Sequence, residues 1–171
     1  LGYFGGRVCR RGVLVSVVGN LPHGQIVSGF SETLGAMDLG IRLVPDAPPP
    51  PRPGVFLRER PMEQLHIVLG APAVHRGSDL KYAALVLNVI LGGSMSSRLF
   101  QEIREKRGLA YSIYSSLSAY ADSGILKICA GTSKDKAREV MSVTSDVVAE
   151  TREGLFGDEE IAFAKELIKG S

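Results

Sequence analysis

An α+β fold, built on a mainly antiparallel sheet with helices packed on one face, is what this 171-residue sequence predicts. From Tyr111 to Gly131 two β-type runs flank Ala121-Asp-Ser-Gly124, the composition of a hairpin turn. A third such run, Gln64-Leu-His-Ile-Val-Leu-Gly70, precedes them, and two helical patterns lie between it and the hairpin. Two more follow the hairpin. The resulting order, β-α-α-β-β-α-α, belongs to that fold class.

At the N-terminal end, Gly12-Val-Leu-Val-Ser-Val-Val-Gly19 is a short β-branched run closed by Gly-Asn and reads as a buried strand. A helix is expected next. Pro22 suits its first turn after Asn20 as a cap, and Ile26, Val27, Phe30 and Leu34 recur at helical spacing as far as Gly35. Six of the nine prolines fall in Pro45-Asp-Ala-Pro-Pro-Pro-Pro-Arg-Pro-Gly54, which predicts an extended, semi-rigid linker. A domain boundary is therefore expected there. Residues 1–44 read as the strand and helix of a preceding domain, 45–54 as linker and 55–171 as the main domain, with both ends of the chain cut; a surface loop within one domain is the alternative.

Beyond Gly70, Asp79 to Leu91 is apolar on nearly every side, as in a buried helix, and Gly92-Gly93 ends it. Ser94 or Ser96 is placed to cap a second helix with Leu99, Phe100 and Ile103 inward, and Gly108 to terminate it. Tyr111 falls on or just before the hairpin's first strand. Thr132 and Asp135 fit a capping box for a helix whose Ala137, Val140, Met141, Thr144, Val147 and Val148 face inward. Gly154 and Gly157 separate it from a last helix opened by Asp158.

Composition excludes more than it selects. With 44% apolar residues the chain can bury a core, and a net charge of +2 gives no argument for nucleic acid as the main partner. No apolar run reaches the roughly 18 residues of a bilayer span, and the start lacks the zones of a signal peptide. A soluble protein of a bacterial cytoplasm, periplasm or organelle matrix is the expectation. Cys9 and Cys129 are too isolated for a disulfide framework or zinc ribbon and read as ordinary thiols.

His23, His66 and His75 are the only histidines, and no two of them lie at helical spacing, so this chain is not expected to build a metal site by itself. His66 reads as a core or sheet residue, the other two as surface loop residues. Gly92-Gly-Ser-Met-Ser-Ser97 before a helix would offer N–H groups to an anion, but it lacks a phosphate-loop lysine, and tight turning between helices is favoured. Arg98 to Arg107 carries four cations and two acids, the composition of a solvated helix face with internal ion pairs. No serine sits in a nucleophile elbow.

One long segment carries a specific likeness. Leu87-Asn-Val-Ile-Leu-Gly-Gly-Ser-Met-Ser-Ser-Arg-Leu-Phe-Gln-Glu-Ile-Arg-Glu-Lys-Arg-Gly-Leu-Ala-Tyr-Ser-Ile-Tyr-Ser115 resembles the second domain of the inverted-motif zinc peptidases, the pitrilysin and mitochondrial processing peptidase family, peptidase family M16. The likeness extends back through Val13 to Asn20 and forward to Glu166-Leu-Ile-Lys-Gly-Ser171. It implies two similar α+β halves closing around an unfolded peptide, of which only the first carries the inverted H-x-x-E-H zinc motif. That motif is absent here, in agreement with the histidine pattern.

The resemblance further implies that zinc and the glutamate base come from the first half, on the same chain or a partner subunit, with no ligand from this chain. The second half of active members contributes an arginine and a tyrosine seven positions apart, matched by Arg104 and Tyr111. A guanidinium and a phenol can each donate to a peptide carbonyl or to its oxyanion. From pattern alone, Arg104 pairs with a nearby acid and Tyr111 packs at the sheet edge; the resemblance favours the site. Arg98, on the same helix, would then be a neutral control. The expected function is thus the substrate-binding half of a zinc metalloendopeptidase acting on peptides or unfolded proteins. An inactive structural or assembly subunit of the same family is the chief alternative, and a free-standing anion-binding module at Gly92 to Ser97 a third.

Overall fold

The computed structural model describes residues 13–36, 48–154 and 156–170. Two compact units divide the chain, Leu1–Ala47 and Pro48–Ser171.

In the first unit the described residues hold one helix, α1 (His23–Gly35), with Pro22 in extended conformation at the N-cap position and no side-chain cap. Asn20 is therefore not the cap. The predicted apolar stripe is only partly covered: Val27 and Phe30 stay exposed, and Ile26 and Leu34 are half-buried. Residues 13–18, expected as a strand, are not one, and Leu14 and Val18 are almost fully exposed. β-branched content favours extended backbone, but a strand also needs a ladder partner, and among the described residues none lies beside it. Gly12, Cys9 and Pro45 to Ala47 lie outside the described residues.

The second unit has the predicted order. Its sheet is β1 (Leu65–Ala73), β2 (Ser112–Ala119) and β3 (Gly124–Thr132), antiparallel throughout and arranged β1-β3-β2. β1 runs from Leu65 opposite Thr132 to Ala73 opposite Gly124, and β2 from Ser112 opposite Gly131 to Ala119 opposite Gly124. The ladder continues past Gly70, where the pattern ended, and includes Pro72. An edge strand tolerates a proline because one of its sides has no ladder to feed.

Alternation along the strands separates two faces. Ile113, Ser115, Ile128 and Ala130 are buried, and Ile67 packs against them. The other face, with His66, Val68, Cys129, Ser112 and Tyr114, stays open, Val68 being 63% and Tyr114 50% exposed. His66 is a sheet residue but an exposed one, and Cys129 is a half-buried free thiol.

Helices cover the first face. α2 (Lys81–Asn88) continues directly into a π-helical turn, Val89–Gly93, so one continuous rod occupies the predicted span. Gly92 lets this rod touch the sheet: a Cβ on it would lie 2.5 Å from the Ser115 backbone nitrogen. Ser115 in turn donates its hydroxyl to the Asn88 carbonyl and side chain, at 3.1 and 2.9 Å. The glycine pair therefore serves helix-to-strand contact. A second rod begins at Arg98 and widens into a π-helical segment, Phe100–Glu105. Leu99 and Ile103, both fully buried, anchor it in the core with Leu109, Ile113 and Val140.

α3 (Ala137–Arg152) and α4 (Asp158–Lys169) complete the layer. α3 buries Val140, Val143, Thr144, Val147 and Thr151, whereas Met141 and Val148 remain about half exposed, so its inward arc is displaced from the predicted one. No side chain caps it: Lys136 occupies the cap position, and Thr132 is buried elsewhere. No described helix is long and apolar enough to cross a membrane.

Candidate functional site

Arg104 and Tyr111 stand on either side of the junction where the second rod ends and β2 begins. The rod stops at Gly108, whose φ of 57° is the left-handed conformation that glycine adopts without strain. Two bonds close the stop, Gly108 N–H to the Arg104 carbonyl at 3.1 Å and Leu109 N–H to the Ile103 carbonyl at 2.8 Å. The π register widens the spacing of this stop relative to an α-helix.

Three further bonds fix the residues that follow. Thr132 Oγ1, fully buried, donates to the Leu109 carbonyl at 2.6 Å; Lys136 Nζ donates to the Gly108 carbonyl at 2.9 Å. Tyr111 N–H donates to the Gly131 carbonyl at 2.8 Å, just ahead of the ladder. Leu109 and Ala110 are buried between these points. The backbone from Arg104 to Tyr111 is thus tied to both the helix and β3.

Both side chains emerge from this fixed backbone. Tyr111 is 63% exposed. Arg104 is exposed, stacks its guanidinium over the Phe100 ring at 5.0 Å from the centroid, and makes no ion pair among the described residues. The pairing with a nearby acid that the pattern suggested is not formed: Glu102 instead pairs with Lys106 and, at 3.6 Å, with Arg107. Cation–π contact leaves the guanidinium's edge donors available to a ligand.

Arg98 behaves differently. Its guanidinium donates twice to Glu160 on α4, Nε to Oε1 at 2.8 Å and Nη2 to Oε2 at 2.7 Å, and lies over the Phe156 ring. That pair raises the arginine's proton affinity and holds the Glu160 carboxyl below the usual carboxylate range. Arg98 is therefore a tie between helices and not the neutral control its place on the helix suggested.

Thr132 and Lys136 were not found by sequence reasoning as supports of this junction. Thr132 carried a capping-box pattern, and nothing in its neighbourhood announced a contact 23 residues back in the chain. At the glycine-rich turn, Ser97 is buried and donates to the Ser94 carbonyl, while Gln101 holds the Met95 carbonyl at 2.8 Å.

Among the described residues no group of three or more His, Cys, Asp or Glu side chains is placed to hold a metal ion. The described donor set does not fit a zinc site.

Residues 12–168 match the model of the peptidase M16 inactive domain. An uncharacterized zinc protease of Streptomyces coelicolor is 37% identical over 170 residues, covering 93% of this chain and 36% of its own length. The corresponding uncharacterized zinc protease of Bacillus subtilis is 34% identical over 159 residues, covering 93% of this chain and 39% of its own. The chain thus spans less than two-fifths of the length of either relative. Among solved structures, a peptidase M16 inactive domain from Pseudomonas fluorescens superposes with a TM-score of 0.73 at 28% identity, over 90% of this chain and 38% of that one.

Proposed function

The chain belongs to the peptidase M16 family, as an inactive domain, and on that premise we propose that it is the substrate-binding half of a zinc metalloendopeptidase, with Arg104 and Tyr111 as donors to the peptide carbonyl. Zinc and the general base would come from the zinc-binding half, on the same chain or a partner subunit. This half binds and orients: its open sheet face receives an extended peptide, and the two donors meet the carbonyl under attack.

The observation that carries the reading is the pinned junction, in which a backbone tied at both ends presents an uncompensated guanidinium and an exposed phenol. Donors fixed before the reaction stabilise developing charge without reorganising, which is what makes them effective.

The test is turnover in a complete enzyme carrying this domain. Arg104→Ala and Tyr111→Phe should each lower kcat by about a hundred- to a thousandfold with folding and zinc content intact. Arg107→Ala, exposed on the same rod, is the control and should stay near the parent value. A rise in KM at unchanged kcat would instead mean ground-state binding alone. Normal turnover in both test variants would remove the site, and a complete enzyme that loads zinc yet cleaves no peptide would favour the assembly-subunit alternative.

A further inference from the structure

We propose that a basic cleft at the start of β1 binds a carboxylate of the peptide substrate and so sets which acidic position is read. This deepens the peptide-binding reading above and rests on it. The cleft has a volume of about 790 Å³ and lies between residues 57–62, the first residues of β1, and Lys134. Arg58, Arg60, Lys134, His66 and Gln64 supply its donors, and Glu59 is the one acid among its lining residues.

Arg58, Arg60 and Lys134 form no ion pair among the described residues. Three cations around a concavity with one anion focus a positive field into it. Arginine also matches a carboxylate with two parallel N–H bonds, a geometry lysine and histidine lack. The remaining lining is aliphatic, including Leu57, Met62 and Leu65, with no aromatic ring for a base to stack on other than the His66 imidazole. A peptide fits such walls better than a nucleic acid does.

Strand register relates the cleft to the proposed site. His66, Gly131 and Ser112 stand in one row across the three strands. A Cβ on the buried Gly131 would lie 2.8 Å from Ser112 Oγ, 3.3 Å from Gln64 Oε1 and 3.9 Å from His66 Cε1, so side chains of the cleft and of β2 close over the middle of that row. The same Gly131 accepts the Tyr111 N–H. From His66 to the Tyr111 end of that row is two strand spacings, about 10 Å, or about three residues of extended peptide. The favoured carboxylate therefore lies about three residues from the carbonyl that meets Tyr111.

The experiment is fluorescence anisotropy of the 171-residue chain with labelled, unstructured ten-residue peptides. One carries a central Glu and an amidated end, one has Gln in its place, and one has Gln with a free C-terminal carboxylate. At low salt a carboxylate peptide should bind about three- to tenfold more tightly than the neutral one, and the gain should fade in high salt. Arg58→Ala with Arg60→Ala, and separately Lys134→Ala, should abolish the gain; all three positions are exposed, so the fold is not at stake. A gain confined to the Glu peptide assigns a side-chain carboxylate, and one confined to the free end assigns the chain terminus. Equal binding of all three peptides, unchanged in the variants, overturns the carboxylate site and leaves the peptide-binding reading standing. Absence of any peptide binding overturns both. A single-stranded oligonucleotide competing as well as the acidic peptide would reduce the cleft to a general anion surface and overturn the proposal too.

Discussion

Arg98 sends its guanidinium across to Glu160, whereas Arg104, on the same rod, finds no acid and rests on Phe100. Their different partners make different experiments appropriate. Glu160 is held below the ordinary carboxylate range first by the hydrogen bond from Arg98, then by its charge and the Gly157 N–H at the start of α4, with desolvation opposing. A depressed carboxylate contributes stability that is full above its unfolded value, about pH 4.3, and is lost as pH falls through the lower folded value. Glu160→Gln should therefore cost about 1–2 kcal/mol at neutral pH. Denaturant unfolding of parent and variant should converge as pH is lowered toward about 3; a constant gap would show that shape, not charge, makes the tie. The composition of Arg98 to Arg107 gave the right residue types, but which arginine was tied depended on a helix 62 residues away.

Elements were more legible than their contacts. The hairpin was readable because the turn residues of Ala121-Asp-Ser-Gly124 separate two β-type runs, although β3 begins already at Gly124, the last residue of that turn pattern. Residues 13–18 failed as a strand for the complementary reason: local pattern names a candidate, and only a neighbouring strand makes a ladder. α3 kept Val140, Thr144 and Val147 inward, but its arc also took Val143 and Thr151 and left Met141 and Val148 at the border. A periodic pattern fixes an arc only to within a residue or so at each edge. The π-helical turn was invisible, since no residue type demands it; its role lies in bringing Gly92 onto β2. Gly92→Ala would place a methyl 2.5 Å from the Ser115 backbone nitrogen and 2.8 Å from its hydroxyl. Backbone cannot yield as a side chain does, so the loss should be about 1–3 kcal/mol by denaturant unfolding. Gly157→Ala, which meets nothing within 4 Å, should lie within about 0.5 kcal/mol of the parent.

At the scale of the whole molecule, zinc is the sharpest discriminator, because family membership implies it and the described residues place no group of three or more donors to hold it. The relatives named as zinc proteases are more than twice as long as the part matched here, so the metal can reside in what lies outside the match. His66 lies on the open sheet face, with Cys129 also on that face but outside the lining of its cleft, and the cleft's lining residues contribute only Glu59 as a second candidate ligand. Two weak donors among three cations repel a divalent ion more than they hold it. Incubated with equimolar zinc and desalted, the chain should retain far less than one ion, and a chelator should leave its thermal unfolding unchanged. Metal that binds the folded state raises the unfolding temperature by mass action, so the chelator shift reads the same equilibrium independently. One zinc per chain surviving desalting, with a chelator-sensitive melt, would mean that this domain assembles a metal site from residues the described structure keeps apart, and the division of labour between two halves would have to be abandoned.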